Sequence, residues 1–91
     1  MDTFLHTIKE AVIDGALDGK TLEFYFQGNI ANVSDFCVVF GEIHCTYKDF
    51  PDGYEVHDVV LDFCTDEFIA AVFHAIARQT GHTKRDKNLF H

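Results

Sequence analysis

Apolar residues recur at helical spacing at both ends of the chain, whereas they alternate with polar residues in the middle. The first stretch carries apolar side chains three and four positions apart, at Phe4, Leu5, Ile8 and Val12. This spacing predicts a helix that begins at Asp2 or Thr3, where a polar side chain can cap it. Gly15 and Gly19 offer two places for this helix to end.

A second helix is predicted near the C-terminus by an apolar stripe at Phe68, Ile69, Val72, Phe73 and Ile76. Thr65 can cap its start, and the two acids that follow lie over the positive end of the helix dipole. Gly81 ends this helix. We therefore expect one compact domain over residues 1–81 and a polar, loose tail over residues 82–91.

Three stretches between the helices have the pattern of strands. Residues 21–27 alternate apolar with polar side chains, residues 36–47 form a longer strand, and residues 54–64 form a third. Residues 28–34 are a polar turn region, and a Pro-Asp-Gly turn joins the last two strands into a hairpin. The order predicts an α+β fold, α-β-β-β-α, with a three-stranded antiparallel sheet and both helices packed on one face.

The register of this hairpin follows from its apolar residues. Pairing Ile43 with Val59 brings the most apolar positions opposite each other. A slip of one residue would instead bury Asp58 and Asp62 without partners, which costs several kcal/mol for each charge. The face under the helices should then carry Val39, Ile43, Val59, Leu61 and Phe63.

The other face of the hairpin mixes apolar and acidic side chains, and His44 falls opposite Asp58 on it. Its members are Phe36, Val38, Phe40, Glu42, His44, Val56, Asp58, Val60 and Asp62. A contiguous exposed apolar patch usually marks an interface; alternatively, the tail covers this face through Leu89 and Phe90. The residues that we expect to bind a partner are Glu23, Tyr25, Phe40, Glu42, His44, Asp58, Val60 and Asp62.

Composition and charge limit the classes of function that the chain can have. The chain has 91 residues, 47% of them hydrophobic, and a formal net charge of −8. Residues 1–77 hold 14 acids and three bases, whereas residues 78–91 carry a net charge of +3. This balance excludes direct nucleic-acid binding through phosphates. It is compatible with ordinary solubility or, as a sharper interpretation, with a partner that has a basic surface.

The six His and three Cys of the chain give little support for catalysis or metal binding. No Cys-x-x-Cys or His-x-x-x-His pair is present. The predicted register places Cys45 beside His57, but no oxyanion-hole motif or Gly-rich loop accompanies them. Asp58 and Asp62 would lie about 13–14 Å apart along a strand, too far for an acid/base pair. We expect no enzyme activity, no cofactor and no metal.

The N-terminal sequence carries no secretory signal, and no run approaches the roughly 18 apolar residues of a membrane span. The odd number of cysteines argues against a disulfide framework. We expect a cytoplasmic protein with reduced cysteines and no membrane contact.

The order of elements resembles the double-stranded-RNA-binding fold, but the start of the last helix reads Thr65-Asp66-Glu67 where that family needs basic residues. Topology, length and charge also resemble the small acidic inhibitors carried by bacteriophages, such as anti-CRISPR and anti-restriction proteins. This resemblance implies inhibition without catalysis: the chain would occupy a basic, nucleic-acid-binding site of a larger protein, in host cytoplasm. The alternative is a homodimeric structural or regulatory domain that pairs through its open sheet face.

Overall fold

The computed structural model describes residues 2–80, which form two helices and one antiparallel sheet of four strands in the order β1-β2-β3-β4. The elements are α1 (Asp2–Ile13), β1 (Leu22–Phe26), β2 (Asn29–Val39), β3 (Glu42–Phe50), β4 (Glu55–Val60) and α2 (Asp66–Thr80). A short 3-10 helix, Leu61–Phe63, joins β4 to α2. The predicted tail over residues 82–91 lies outside the described residues.

The α+β class and both helices are confirmed, but the predicted number of three strands is wrong. The chain reverses at Phe40 and Gly41, so the predicted strand 36–47 is divided between β2 and β3. Both residues have positive φ, 51° and 79°, as a two-residue hairpin turn requires. Residues 28–34, predicted as a turn region, instead form mostly the first half of β2.

Two β-bulges flank β3, and both contain an aspartate with positive φ. One extra residue lies in β2 between Ser34 and Cys37, where Asp35 has φ 55°. Another lies in β4 opposite Thr46, where Asp58 has φ 62°. Because side chains alternate with a period of two, each extra residue exchanges the two faces for the rest of its strand.

The predicted register of the hairpin is wrong by one residue at Tyr47, which pairs with Val56, and the bulge in β4 adds a second residue of shift beyond it. Cys45, rather than Ile43, pairs with Val59. Val39 pairs with Glu42 and is 40% exposed, and Phe63 lies in the 3-10 helix at 75% exposure. Neither therefore belongs to the buried face on which the prediction placed it.

The rest of that predicted face is correct. Ile43 and Leu61 are fully buried, and Val59 packs against the core. The two helices lie over the sheet on this side, with α2 against β1 and α1 against β2. We call this surface the helix side and the opposite surface of the sheet the open face.

Three residues predicted on the opposite face belong to the helix side. Phe36 and Val38 follow the first bulge; Phe36 packs against the core, and Val38 pairs with buried Ile43. Val56 pairs with Tyr47, which also packs against the core. The two-residue turn at Phe40 and Gly41 accounts for the first two corrections, because it pairs Val39 with Glu42 and so puts Val38 and Phe36 on the other face from Glu42 and His44.

Two side chains fasten helical segments to the sheet by forming hydrogen bonds with backbone groups of its strands. The Gln79 amide donates to the Glu23 carbonyl oxygen at 2.7 Å and accepts from the Glu23 N–H at 3.3 Å. The Ile43 N–H donates to Asp62 Oδ1 at 2.8 Å. Asp62 is among the predicted partner-binding residues, and in the structure its carboxylate connects the 3-10 helix to β3.

We expect Asp62→Ala to lower the free energy of unfolding by about 1–3 kcal/mol, because it leaves a partly buried backbone donor without a partner. Asp62→Asn keeps the acceptor oxygen and should lose less. Urea denaturation of both variants measures the difference. Equal stability of Asp62→Ala and the unchanged chain would contradict this structural role.

Candidate functional site

The open face can be derived row by row from the strand pairing, because directly paired residues project to the same side of a sheet. At one end lies an aromatic row of Tyr25, Ile30 and Phe50. The next rows are Glu23, Asn32, Lys48 and Glu55; then Ser34 and Thr46; then Cys37, His44 and Val60; and at the far end Val39 and Glu42.

The structure divides the predicted partner-binding residues into two groups. Glu23 and Tyr25 lie on β1, whereas Glu42, His44 and Val60 lie on or beside β3 and β4. Because the sheet order is β1-β2-β3-β4, about 14 Å separates its two edges. All five project from the open face, yet they do not form one continuous patch.

The remaining predicted residues lie outside the rows. Phe40 is at the tip of the β2–β3 turn and is 99% exposed. Asp58 is the residue with positive φ in the β4 bulge. Asp62 belongs to the 3-10 helix and bonds to the backbone of β3, so it is not part of the open face.

His44 is held between two carboxylates at the β3–β4 end of the open face. Its Nδ1 lies 2.5 Å from Asp58 Oδ1, and its Nε2 lies 3.8 Å from Glu42 Oε1. A carboxylate only accepts hydrogen bonds, so Nδ1 carries the proton that it donates to Asp58. The sequence placed His44 opposite Asp58, but its strand partner is Val60, and the bulge brings the carboxylate to the ring.

The His44 side chain is 17% exposed, whereas that of Asp58 is 75% exposed. Within the described part of the chain, Nε2 is buried and has no hydrogen-bond partner. The contact therefore fixes the orientation of the imidazole and leaves the second carboxylate oxygen of Asp58 near solvent. The arrangement therefore presents negative charge at this end of the open face.

The open face is more acidic than basic. Glu23, Glu42 and Glu55 belong to its rows, and Asp58 adjoins them. Among the described residues of these rows, the one lysine or arginine is Lys48, whose Nζ lies 5.4 Å from the centroid of the Phe50 ring. The whole described range, residues 2–80, has 14 Asp and Glu against four Lys and Arg.

The predicted contact between Cys45 and His57 does not exist. Cys45 is 2% exposed in the core, and burial, with smaller contributions from the other two thiols, raises its pKa to about 12. The His57 side chain is 73% exposed and lies 3.8 Å from a Glu55 oxygen. Among the described residues, no group of three or more His, Cys, Asp or Glu could hold a metal ion.

A shallow depression of about 490 Å³ lies at the β1 edge of the open face. Glu23, Phe24, Tyr25, Ile30 and Arg78 line it. It joins the exposed aromatic row to the acidic row, so this edge offers apolar and charged contacts side by side.

Comparisons with protein families, with curated proteins and with solved structures give no match for this chain. Neither helix within residues 2–80 has the length and apolarity that a membrane crossing requires. The interpretation of the open face therefore depends on its own geometry and charge.

We expect a thiol reagent at pH 8 to modify one cysteine of the native chain rapidly, the exposed Cys37. Cys45 is buried, and its pKa of about 12 keeps it protonated and unreactive. Burial, and secondly the Asp62 carboxylate, also raise the pKa of Cys64. Cys37→Ser should abolish the fast phase of labelling, and rapid labelling of Cys45 would contradict the structure.

Proposed function

We propose that this chain is a small acidic binding protein that inhibits a larger protein by occupying a basic, nucleic-acid-binding site on it. The observation that carries the proposal is the open face, whose rows hold Glu23, Glu42 and Glu55, with Asp58 beside them, against one lysine, Lys48. Because electrostatic complementarity speeds association and selects partners, such a face fits a surface rich in Lys and Arg.

The charges of the open face are available to a partner. Glu23, Glu55 and Asp58 are exposed, and Glu42 is half-buried. The two glutamates of one row, Glu23 and Glu55, lie on the outer strands and are about 14 Å apart across the sheet. A basic groove responds to negative charge whether a phosphate or a carboxylate carries it.

Exposed aromatic residues at both ends of the face can supply binding energy that charge alone does not. Phe40 is 99% exposed and Tyr25 is 78% exposed, and aromatic residues dominate the energetics of many interfaces. Phe40 also has φ 51°, a conformation that a bulky residue rarely adopts. Such local strain, retained on an exposed residue, favours a functional role for it.

Homodimerisation through the same face is less favourable. A symmetric dimer would bring the carboxylates of one open face against those of the other, and each chain carries a net charge of −8. Like charges opposed across an interface cost several kcal/mol. The charge therefore favours a basic partner over a second copy.

The test uses the immobilised chain and a cell-lysate fraction eluted from a DNA column. We expect it to retain a DNA-binding protein that free duplex DNA displaces. Glu42→Lys with Glu55→Lys should weaken this binding about tenfold or more. The matched control, Asp14→Lys with Asp18→Lys, changes the net charge equally in the exposed loop after α1 and should bind as the unchanged chain does. Equal losses of affinity in both variants would show a non-specific effect of charge and would reject the open face as the binding surface.

Phe40→Asn provides a second test, with opposite effects on stability and binding. Asparagine tolerates positive φ better than phenylalanine, so thermal unfolding should show equal or higher stability, by up to about 1 kcal/mol. Affinity for the captured protein should fall, because the exposed aromatic ring is lost. Unchanged affinity would exclude the β2–β3 turn from the interface.

A further inference from the structure

The helix side of the sheet is not completely covered. The helices lie over β1 and β2, and the space above β3 and β4, next to the first turn of α2, is an apolar groove of about 450 Å³. Its lining includes Phe26, Tyr47, Val59, Phe63, Cys64 and Phe68. This groove lies on the opposite surface from the open face.

Aromatic rings form the body of the groove. The Phe68 ring meets the Phe26 ring edge-to-face at 5.1 Å between centroids, and the Tyr47 ring at 5.7 Å. Val59 is half-buried beside them. Phe63, at the mouth, is 75% exposed, because the 3-10 helix buries Leu61 and turns the next apolar side chain away from the core.

The polar groups of the lining remain neutral around pH 7. Burial, and secondly the Asp49 carboxylate, raise the pKa of Tyr47 above its ordinary value. Burial and Asp62 do the same for Cys64, whose thiol donates to the Val60 carbonyl oxygen at 3.5 Å. The groove can therefore receive an apolar side chain without displacing a charge.

Carboxylates lie around the rim of the groove. Besides burial, Asp62 is close enough to Cys64 to raise the pKa of its thiol, and the exposed Asp66 directly follows Thr65, which lines the groove. On the sheet side, Asp49 Oδ2 lies 3.5 Å from the Tyr47 hydroxyl. Among the described residues that line the groove, none is lysine or arginine.

We propose that this groove binds a segment of a partner protein that inserts a leucine or phenylalanine side chain and carries lysine or arginine on either side of it. The apolar floor fits the anchor, and the carboxylates of the rim fit the flanking cations. This site does not depend on the function proposed for the open face.

The chain contains one sequence of the same chemistry, since Lys84, Arg85 and Lys87 are followed by Leu89 and Phe90. These residues lie outside the described range. The experiment therefore has to distinguish binding of a partner's segment from binding of the chain's own C-terminal residues.

The probe is a fluorescein-labelled peptide, Lys-Lys-Leu-Phe-Lys-Lys, followed by fluorescence anisotropy. We expect it to bind the full chain at least tenfold more tightly than Lys-Lys-Ser-Ser-Lys-Lys, which has the same charge. Phe63→Ser should weaken binding about tenfold or more, and its high exposure makes the fold insensitive to the change. Glu42→Lys with Glu55→Lys, on the open face, should weaken both peptides equally and leave the ratio of their affinities unchanged, so the two sites can fail independently.

Three outcomes would overturn the proposal. The serine peptide could bind as tightly as the apolar one, which would show charge attraction alone. Phe63→Ser, with its thermal midpoint unchanged, could bind the peptide as the unchanged chain does. Lastly, removal of residues 81–91 could raise peptide affinity more than tenfold, which would identify the chain's own C-terminal residues as the occupant of the groove.

Discussion

The two bulges beside β3 are the constraint on which the rest of the structure depends. Asp35 and Asp58 take left-handed backbone conformations on opposite sides of the same strand. Each inserts one residue and thereby decides which side chains beyond it face the helices. Without the first bulge, Phe36 and Val38 would project to the open face, and the core would lose part of its apolar contact with β2. The bulge at Asp58 also positions the carboxylate that contacts His44.

The acidic residues of the described chain divide by environment into structural and free groups. None of them is fully buried, in keeping with the high free energy of an unpaired charge in a protein interior. Two of the three half-buried carboxylates accept backbone hydrogen bonds: Asp49 from the Tyr54 N–H and Asp62 from the Ile43 N–H. The third, Glu42, lies beside the His44 ring, and the remaining acids are exposed and contribute to the negative field of the surface.

Much of the fold could be predicted from periodicity, but the reversals of the chain could not. The stripes of both helices and the alternation of β1 follow directly from burial on one side of each element. The turn at Phe40 and Gly41 was missed because the apolar run of residues 36–40 leads directly into the alternating residues 42–47, and phenylalanine is an unusual turn residue. The bulges carry no pattern of their own beyond an aspartate, a residue that tolerates positive φ. These errors carried over to the site: residues on regular strands, such as Glu23 and His44, were placed on the correct face, whereas Asp62, which lies past the β4 bulge and within the 3-10 helix, was not.

The amide of Gln79 occupies the position that a neighbouring strand would take beside β1. It satisfies both backbone groups of Glu23, so an incoming chain finds this stretch of the sheet margin already paired. On the other margin, β4 is interrupted by its bulge and carries charged side chains, which discourage the addition of a strand. Both edges of the sheet therefore disfavour the addition of a strand at these positions, which favours contact through side chains over a shared backbone ladder.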